Sequence, residues 1–232
     1  MRIGAVLGSV LLAQAAWLLP AEEGATAAQT KDTAATPAVT VTVDTSKVPE
    51  AAEWAAKAKE IVEKNYPLMV EKLKVDGVKP PATIKLIFEN KGKGIAGTAG
   101  NTVHIEYSWI SKHPDDFGMV IHEVTHSIQG YPKYDPPWLV EGIADYIRFW
   151  MFEPENKRPR VNPDRAKYTD SYQTTAAFLA WVTATYDKDL ITKLNAALRQ
   201  NKYKKELFAE YTGKDLDTLW GGFTESLRKK RP

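Results

Sequence analysis

The sequence predicts an α+β fold, with a small mixed sheet and a long helix in its N-terminal half and helices alone in its C-terminal half. Three observations carry this. Short β-rich stretches fall at Val39–Val43, Thr83–Phe88 and Thr102–Tyr107, all in the first half. Apolar residues recur at helical spacing from about Pro114 onward. Pro80-Pro81, Gly130, Asp187, Asn201 and Gly213 punctuate the chain at intervals that suit separate elements of one α+β unit.

The elements follow in order. Arg2, the apolar run Ile3–Leu19, Pro20 and a cluster of small residues at Ala13, Ala15, Ala16 and Ala21 read as a signal peptide over residues 1–21. The run is short for a bilayer span of roughly 20 residues. The expectation is a secreted or periplasmic protein with no stable membrane insertion once the signal is cleaved; an uncleaved N-terminal anchor is the alternative. Residues 22–38 are rich in Ala and Thr without periodicity, which reads as a disordered spacer. A single domain is expected over residues 39–232. Val39–Val43 alternates as a strand, and Pro49 opens a helix over residues 51–73, kinked or interrupted at Pro67. Thr83–Phe88 is a second strand. Gly92, Gly94, Gly97 and Gly100 mark turns and match no phosphate-binding pattern. Thr102–Tyr107 is a third strand. A helix is expected from Pro114 to Gly130, a proline loop over residues 131–137, a second helix over residues 138–152, an exposed loop to Lys167, and three or four further helices from Asp170.

Composition narrows the chemistry. A net charge of +2 over 232 residues is no nucleic-acid footprint, and the one dense basic run, Arg228–Arg231, reads as a solvated tail. The absence of cysteine excludes disulfides, thiolate metal sites and a cysteine nucleophile. Any metal must be held by carboxylates and by some of four histidines, His104, His113, His122 and His126.

His122 and His126, four residues apart on a predicted helix, point the same way, as two imidazoles must to share one tetrahedral zinc. Glu123 lies between them, placed to take a proton from a metal-activated water without being a ligand. Phe117, Ile121, Val124 and Ile128 fall within an arc of roughly 60° and predict the buried stripe. His122, Glu123 and His126 lie off it, which argues against ordinary core histidines. On the next predicted helix Glu141 and Asp145 repeat the four-residue spacing, and Arg148 continues that line opposite Leu139, Ile143, Tyr146, Ile147 and Trp150. With the two functional faces turned outward and converging, Glu141 becomes the third ligand of a single Zn2+ ion, and Asp145 orients a ligand histidine. The plain alternative is a solvated acidic face partly neutralised by Arg148.

The stretch His122-Glu123-Val124-Thr125-His126 followed by Glu141-Gly142-Ile143-Ala144-Asp145-Tyr146 resembles the basic secretory protein family, plant and bacterial peptidases of the gluzincin type. Gly100–His104, Tyr168–Tyr172 with Thr175–Leu179, Thr212–Lys214 and Leu219-Trp220 are similar to that family too. The resemblance spans roughly Val39 to Leu227. It implies a zincin-like fold, a secreted zinc peptidase, ligands at His122, His126 and Glu141, and a base at Glu123. A hydrolase of this type needs a donor to the developing oxyanion. Tyr172 in the family-like segment is the first candidate and Tyr168 the second. In gluzincins the strand just before the zinc helix is an edge that pairs with extended substrate, so Thr102–Tyr107 is expected to bind a peptide or protein substrate by strand addition. His104 and His113 read as solvated positions.

The leading expectation is therefore a zinc-dependent peptidase acting through metal-activated water. A non-catalytic zinc protein that binds a peptide or cell-envelope ligand is the second reading, and a zinc hydrolase of another amide, such as a cell-wall peptide, the third. Glu123 separates catalysis from a purely structural site, which has no use for an acid there. Substrate preference, endo- or exo-action and oligomeric state are not encoded legibly.

Overall fold

A computed structural model of the chain describes residues 38–229; the expected signal peptide and nearly all of the spacer lie outside the described residues. Four strands form one mixed sheet: β1 (Thr40–Asp44), β2 (Thr83–Glu89), β3 (Ala96–Ala99) and β4 (Thr102–Glu106), in the order β1-β2-β4-β3. β1 pairs parallel to β2 and β2 parallel to β4, while β3 runs antiparallel to β4. Ile84, Leu86, Phe88, Val103 and Ile105 alternate into the core and are fully buried.

Two expectations are corrected here. The strand expected at the substrate edge over Thr102–Tyr107 forms as Thr102–Glu106 and is internal, flanked by β2 and β3. The edge is β3, within the glycine-rich stretch that reads as turns. Ala-Gly-Thr-Ala carries little strand preference of its own, and pairing with β4 together with packing against the helix that carries His122 fixes it as a strand.

α1 (Ala52–Lys72) follows a short 3-10 turn at Pro49–Ala51 and continues through Pro67. Its buried line, Ala55, Ala58, Val62, Tyr66, Met69 and Val70, lies on both sides of the proline, so packing holds the two halves as one helix. A single turn, α2 (Tyr107–Ile110), leaves β4. α3 (Gly118–Gln129) starts four residues after Pro114, because residues 111–117 turn before the helix begins. α1 packs on β1 and β2, α3 packs on β3 and β4, and the two helices touch.

The C-terminal half is helical: α4 (Pro137–Tyr146), a wider π-helical turn at Ile147–Phe152, then α5 (Tyr172–Thr185), α6 (Leu190–Arg199), α7 (Leu207–Thr212) and α8 (Leu216–Lys229). From the π turn Arg148 reaches Asp116 at 2.6 Å while lining one pocket with Asp145. Trp138, Tyr168, Phe178, Phe208 and Trp220 interlock between these helices. No described helix is long and apolar enough to cross a membrane.

His104 and His113 do not join the other histidines. His104 Nδ1 lies 3.1 Å from Glu89 Oε2, and His113 stacks on Trp109 with ring centroids 3.8 Å apart. Glu89 also meets Lys91 and Lys47 at 2.5 and 3.0 Å. Hydrogen bonds from Lys91, then Lys47, outweigh burial and lower its pKa to about 2. A carboxylate depressed on folding adds stability above its unfolded pKa and loses it as pH falls toward the folded value. Glu89→Gln is thus expected to flatten the loss of stability between about pH 4.5 and pH 2, measured by urea midpoints across that window.

Candidate active site

α3 brings His122 and His126 one turn apart, and α4 crosses it so that Glu141 and Asp145 face them. Among the described residues, His122, His126 and Glu141 form a group whose ligand atoms all lie within 4.8 Å of one another. His122 Nε2 is 3.1 Å from His126 Nε2 and 3.0 Å from Glu141 Oε2, and His126 Nε2 is 3.6 Å from the same oxygen. Metal–ligand bonds of about 2.0–2.1 Å set tetrahedral zinc ligands about 3.3 Å apart. The three separations bracket that value.

The other ring nitrogens are spoken for. His122 Nδ1 lies 2.6 Å from Asp145 Oδ1, and His126 Nδ1 lies 2.8 Å from Gln129 Oε1. Gln129 Nε2 donates to the Val140 carbonyl at 3.1 Å, which turns the amide oxygen toward His126. Each Nδ1–H therefore donates to an oxygen, and each Nε2 is left with its lone pair at the centre. Two lone pairs and a carboxylate oxygen facing one point fit a cation. Burial opposes the His122 imidazolium, but Asp145 and Glu141 prevail and raise its pKa to about 9, so the centre favours positive charge, and a cation bound there takes the place of the Nε2 proton. Burial likewise opposes the Glu141 carboxylate, and the two imidazoles hold it well below the usual range.

The faces that carry these groups are not outward. His122, Glu141 and Asp145 are 7%, 5% and 4% exposed, and almost all of α3 is buried. A helix read alone shows its own apolar stripe; it does not show that α5 closes over α4. Gly142 permits that closure. A Cβ there would stand 2.2 Å from Thr175 Cγ2 and 2.7 Å from its Cβ, and Thr175 is fully buried with its hydroxyl on the Tyr168 carbonyl at 2.6 Å. Gly142→Ala is expected to cost about 1–3 kcal/mol by overpacking and to weaken metal binding by tilting Glu141 and Asp145. Denaturant unfolding and metal titration of the variant check both.

Glu123 contributes no atom to the three-ligand group. Its Oε2 is 2.7 Å from Thr98 Oγ1, which also lies 2.9 Å from the Glu123 carbonyl, so the edge strand holds the acid at the cleft. Tyr172 opens α5 with its ring stacked on His122 at a centroid distance of 6.0 Å. Both Ser171 and Tyr172 have left-handed backbone, φ 65° and 48°. Strain of this kind in non-glycine residues clusters at functional sites. Tyr168 is turned away, into the aromatic cluster with Trp138 and Trp220.

Two residues at the site escape a reading of the sequence. Thr98 reaches Glu123 only through sheet pairing. Tyr134, in the loop between α3 and α4, hydrogen-bonds Glu141 Oε1, the carboxylate oxygen not facing the histidines. Burial, then Glu141, raises the Tyr134 pKa, and burial, then the neighbouring carboxylates, raises that of Tyr172, so both hydroxyls keep their protons at neutral pH. Two tyrosines in the proline loop that joins the motif's halves were the available signal for Tyr134.

Fold and site together define an α+β protein with a three-residue centre fit for one metal ion and an acid beside it. Residues 26–223 match the model of the BSP family, described as a peptidase of plants and bacteria, and the chain belongs to that peptidase family. No curated protein and no solved structure matches it.

Proposed function

We propose that the chain is a zinc-dependent peptidase, secreted or periplasmic, with His122, His126 and Glu141 as ligands of one Zn2+ and Glu123 as general base. The observation that carries this is the position of Glu123: beside the ligand cluster, outside it, and held by Thr98. The apolar segment at Ile3–Leu19 supports export.

When bound, zinc supplies a Lewis acid that polarises a peptide carbonyl and brings the pKa of a water toward neutrality. The chain's own groups do the rest. An extended peptide pairs with the outer edge of β3, which presents main-chain donors and acceptors at the cleft. Glu123 accepts the proton of the attacking water on its free oxygen while Thr98 holds the other, and returns that proton to the leaving amine. The Tyr172 hydroxyl donates to the developing oxyanion, with Tyr134 across the centre. Asp145 and Gln129 keep both imidazoles in the ligating tautomer.

Removal of the metal is expected to abolish peptide cleavage, and one equivalent of zinc to restore it. Metal analysis beside a peptide digest, before and after a chelator, reads this directly. Full cleavage by metal-free protein would overturn the reading. A zinc-loaded chain that binds peptides and cleaves none would favour the binding protein.

A further inference from the structure

The cleft is electrically lopsided. On one side of the centre lies a cavity of about 740 Å3 whose lining includes Lys79, Lys133 and Arg199. Its lining carboxylates are Glu123 and Glu141, both committed at the centre. Lys79 and Lys133 are exposed, and among the described residues neither ammonium has an ion-pair partner. Arg199 is pinned by its Nη1, which donates to the carbonyls of Gln129 and Gly130 at the end of α3. Its guanidinium is thereby fixed, with donors left over. Ser127, on the same helix as the histidines, lines this cavity too; it is 6% exposed and its hydroxyl has no hydrogen-bond partner among the described residues. The cleft on the other side differs: there Arg148 is paired with Asp116 at 2.6 Å, and Asp170 accepts the Lys167 N–H at 2.7 Å.

Three cations with no ion-pair partner among the described residues, beside a buried hydroxyl without a hydrogen-bond partner there, describe a receptor for a carboxylate. We propose that this end of the cleft is a specificity subsite that selects a carboxylate of the substrate, with Lys79, Lys133, Arg199 and Ser127 as its binding groups. This deepens the peptidase reading and rests on it. The carboxylate has two possible sources, which strand direction separates. β3 runs from Ala96, beside the pocket lined by Arg148 and Asp170, toward the turn at Gly100 and Asn101, which lines the cationic cavity. A peptide antiparallel to β3 lays its N-terminal part over the lysines, so an Asp or Glu side chain before the scissile bond enters the subsite. A parallel peptide delivers its C-terminal part, and the free terminal carboxylate serves.

The test is a matched peptide series with Glu, Gln or Lys walked along both sides of the cleavable bond, each made as C-terminal acid and amide. Cleavage is followed with the zinc-loaded chain, and equilibrium binding with its Glu123→Gln variant. Partly exposed charge pairs are each worth about threefold, so two to three of them predict a preference of roughly tenfold for Glu over Gln, or for acid over amide. In Lys79→Glu/Lys133→Glu the ratio is expected to fall to about one or to invert toward Lys, and Ser127→Ala to lower it part of the way. A position-dependent Glu preference before the bond assigns the side chain; an acid-over-amide preference assigns the terminus. Cleavage or binding without either preference, or a ratio untouched by the double lysine variant, overturns the subsite. Selective binding of acidic peptides with no cleavage of any would overturn the peptidase reading and leave the subsite standing.

Discussion

Glu123→Gln is expected to lower kcat/KM on peptide substrates by roughly a thousandfold, within the 10²–10⁴ range that general-base catalysis contributes, while the chain still holds one zinc. The substitution is nearly isosteric and touches no ligand atom, since the convergent group is His122, His126 and Glu141. Thr98 Oγ1, now 2.7 Å from Glu123 Oε2, can donate equally well to the amide oxygen of Gln, so the side chain should stay where it is. What it loses is the ability to take a proton. The expected signature is therefore a collapse in kcat with little change in KM, as for an interaction made only in the transition state. Steady-state kinetics beside metal analysis would show it. Retained activity would remove Glu123 from the mechanism; retained activity with lost zinc would make it a ligand instead.

The halves of this site differ in how they are written into the sequence. His122, Glu123 and His126, like Glu141 and Asp145, are positioned by helical spacing, a local rule that needs no tertiary knowledge. Their depth is a tertiary fact. α3 and α4 look amphipathic one at a time, yet both are covered: α4 because Gly142 lets α5 approach and Thr175 fills the gap, α3 because it lies between the sheet, α1 and α4. A glycine inside a helical pattern costs about 1 kcal/mol relative to Ala, and that cost was the visible hint of close packing. Thr98 was hidden for the opposite reason. It sits in an Ala-Gly-Thr-Ala strand whose partner, β4, lies beyond a glycine turn, and only that pairing brings its hydroxyl to Glu123. Tyr168 and Tyr172 are alike on paper. The left-handed backbone at Ser171 and Tyr172 sends one ring to His122 and leaves the other among tryptophans.

Asp145 and Glu141 should separate when each is made neutral. Glu141→Gln exchanges a carboxylate of the three-residue centre for a poor metal donor, and its zinc stoichiometry at micromolar metal is expected to fall well below one, with activity lost in step. Asp145→Asn leaves the three-residue centre intact. Loss of such an outer partner typically lowers metal affinity about 10–100-fold, and the variant should regain most of its metal when zinc is raised by that factor. The reason lies in the 2.6 Å contact from His122 Nδ1 to Asp145 Oδ1, made where both side chains are buried. The carboxylate accepts the Nδ1 proton and so leaves the Nε2 lone pair for the centre. An amide can present its oxygen and keep that tautomer, without the charge that made the imidazole a stronger donor. It can equally present its NH2, which moves the proton to Nε2 and silences the ligand. Affinity then depends on which rotamer wins, and the variant should bind zinc with a shallower dependence on pH as well as more weakly. Competition against a chromophoric chelator gives both affinities. Equal losses for the two variants would place Asp145 among the ligands, and no loss for Asp145→Asn would leave His122 oriented by packing alone.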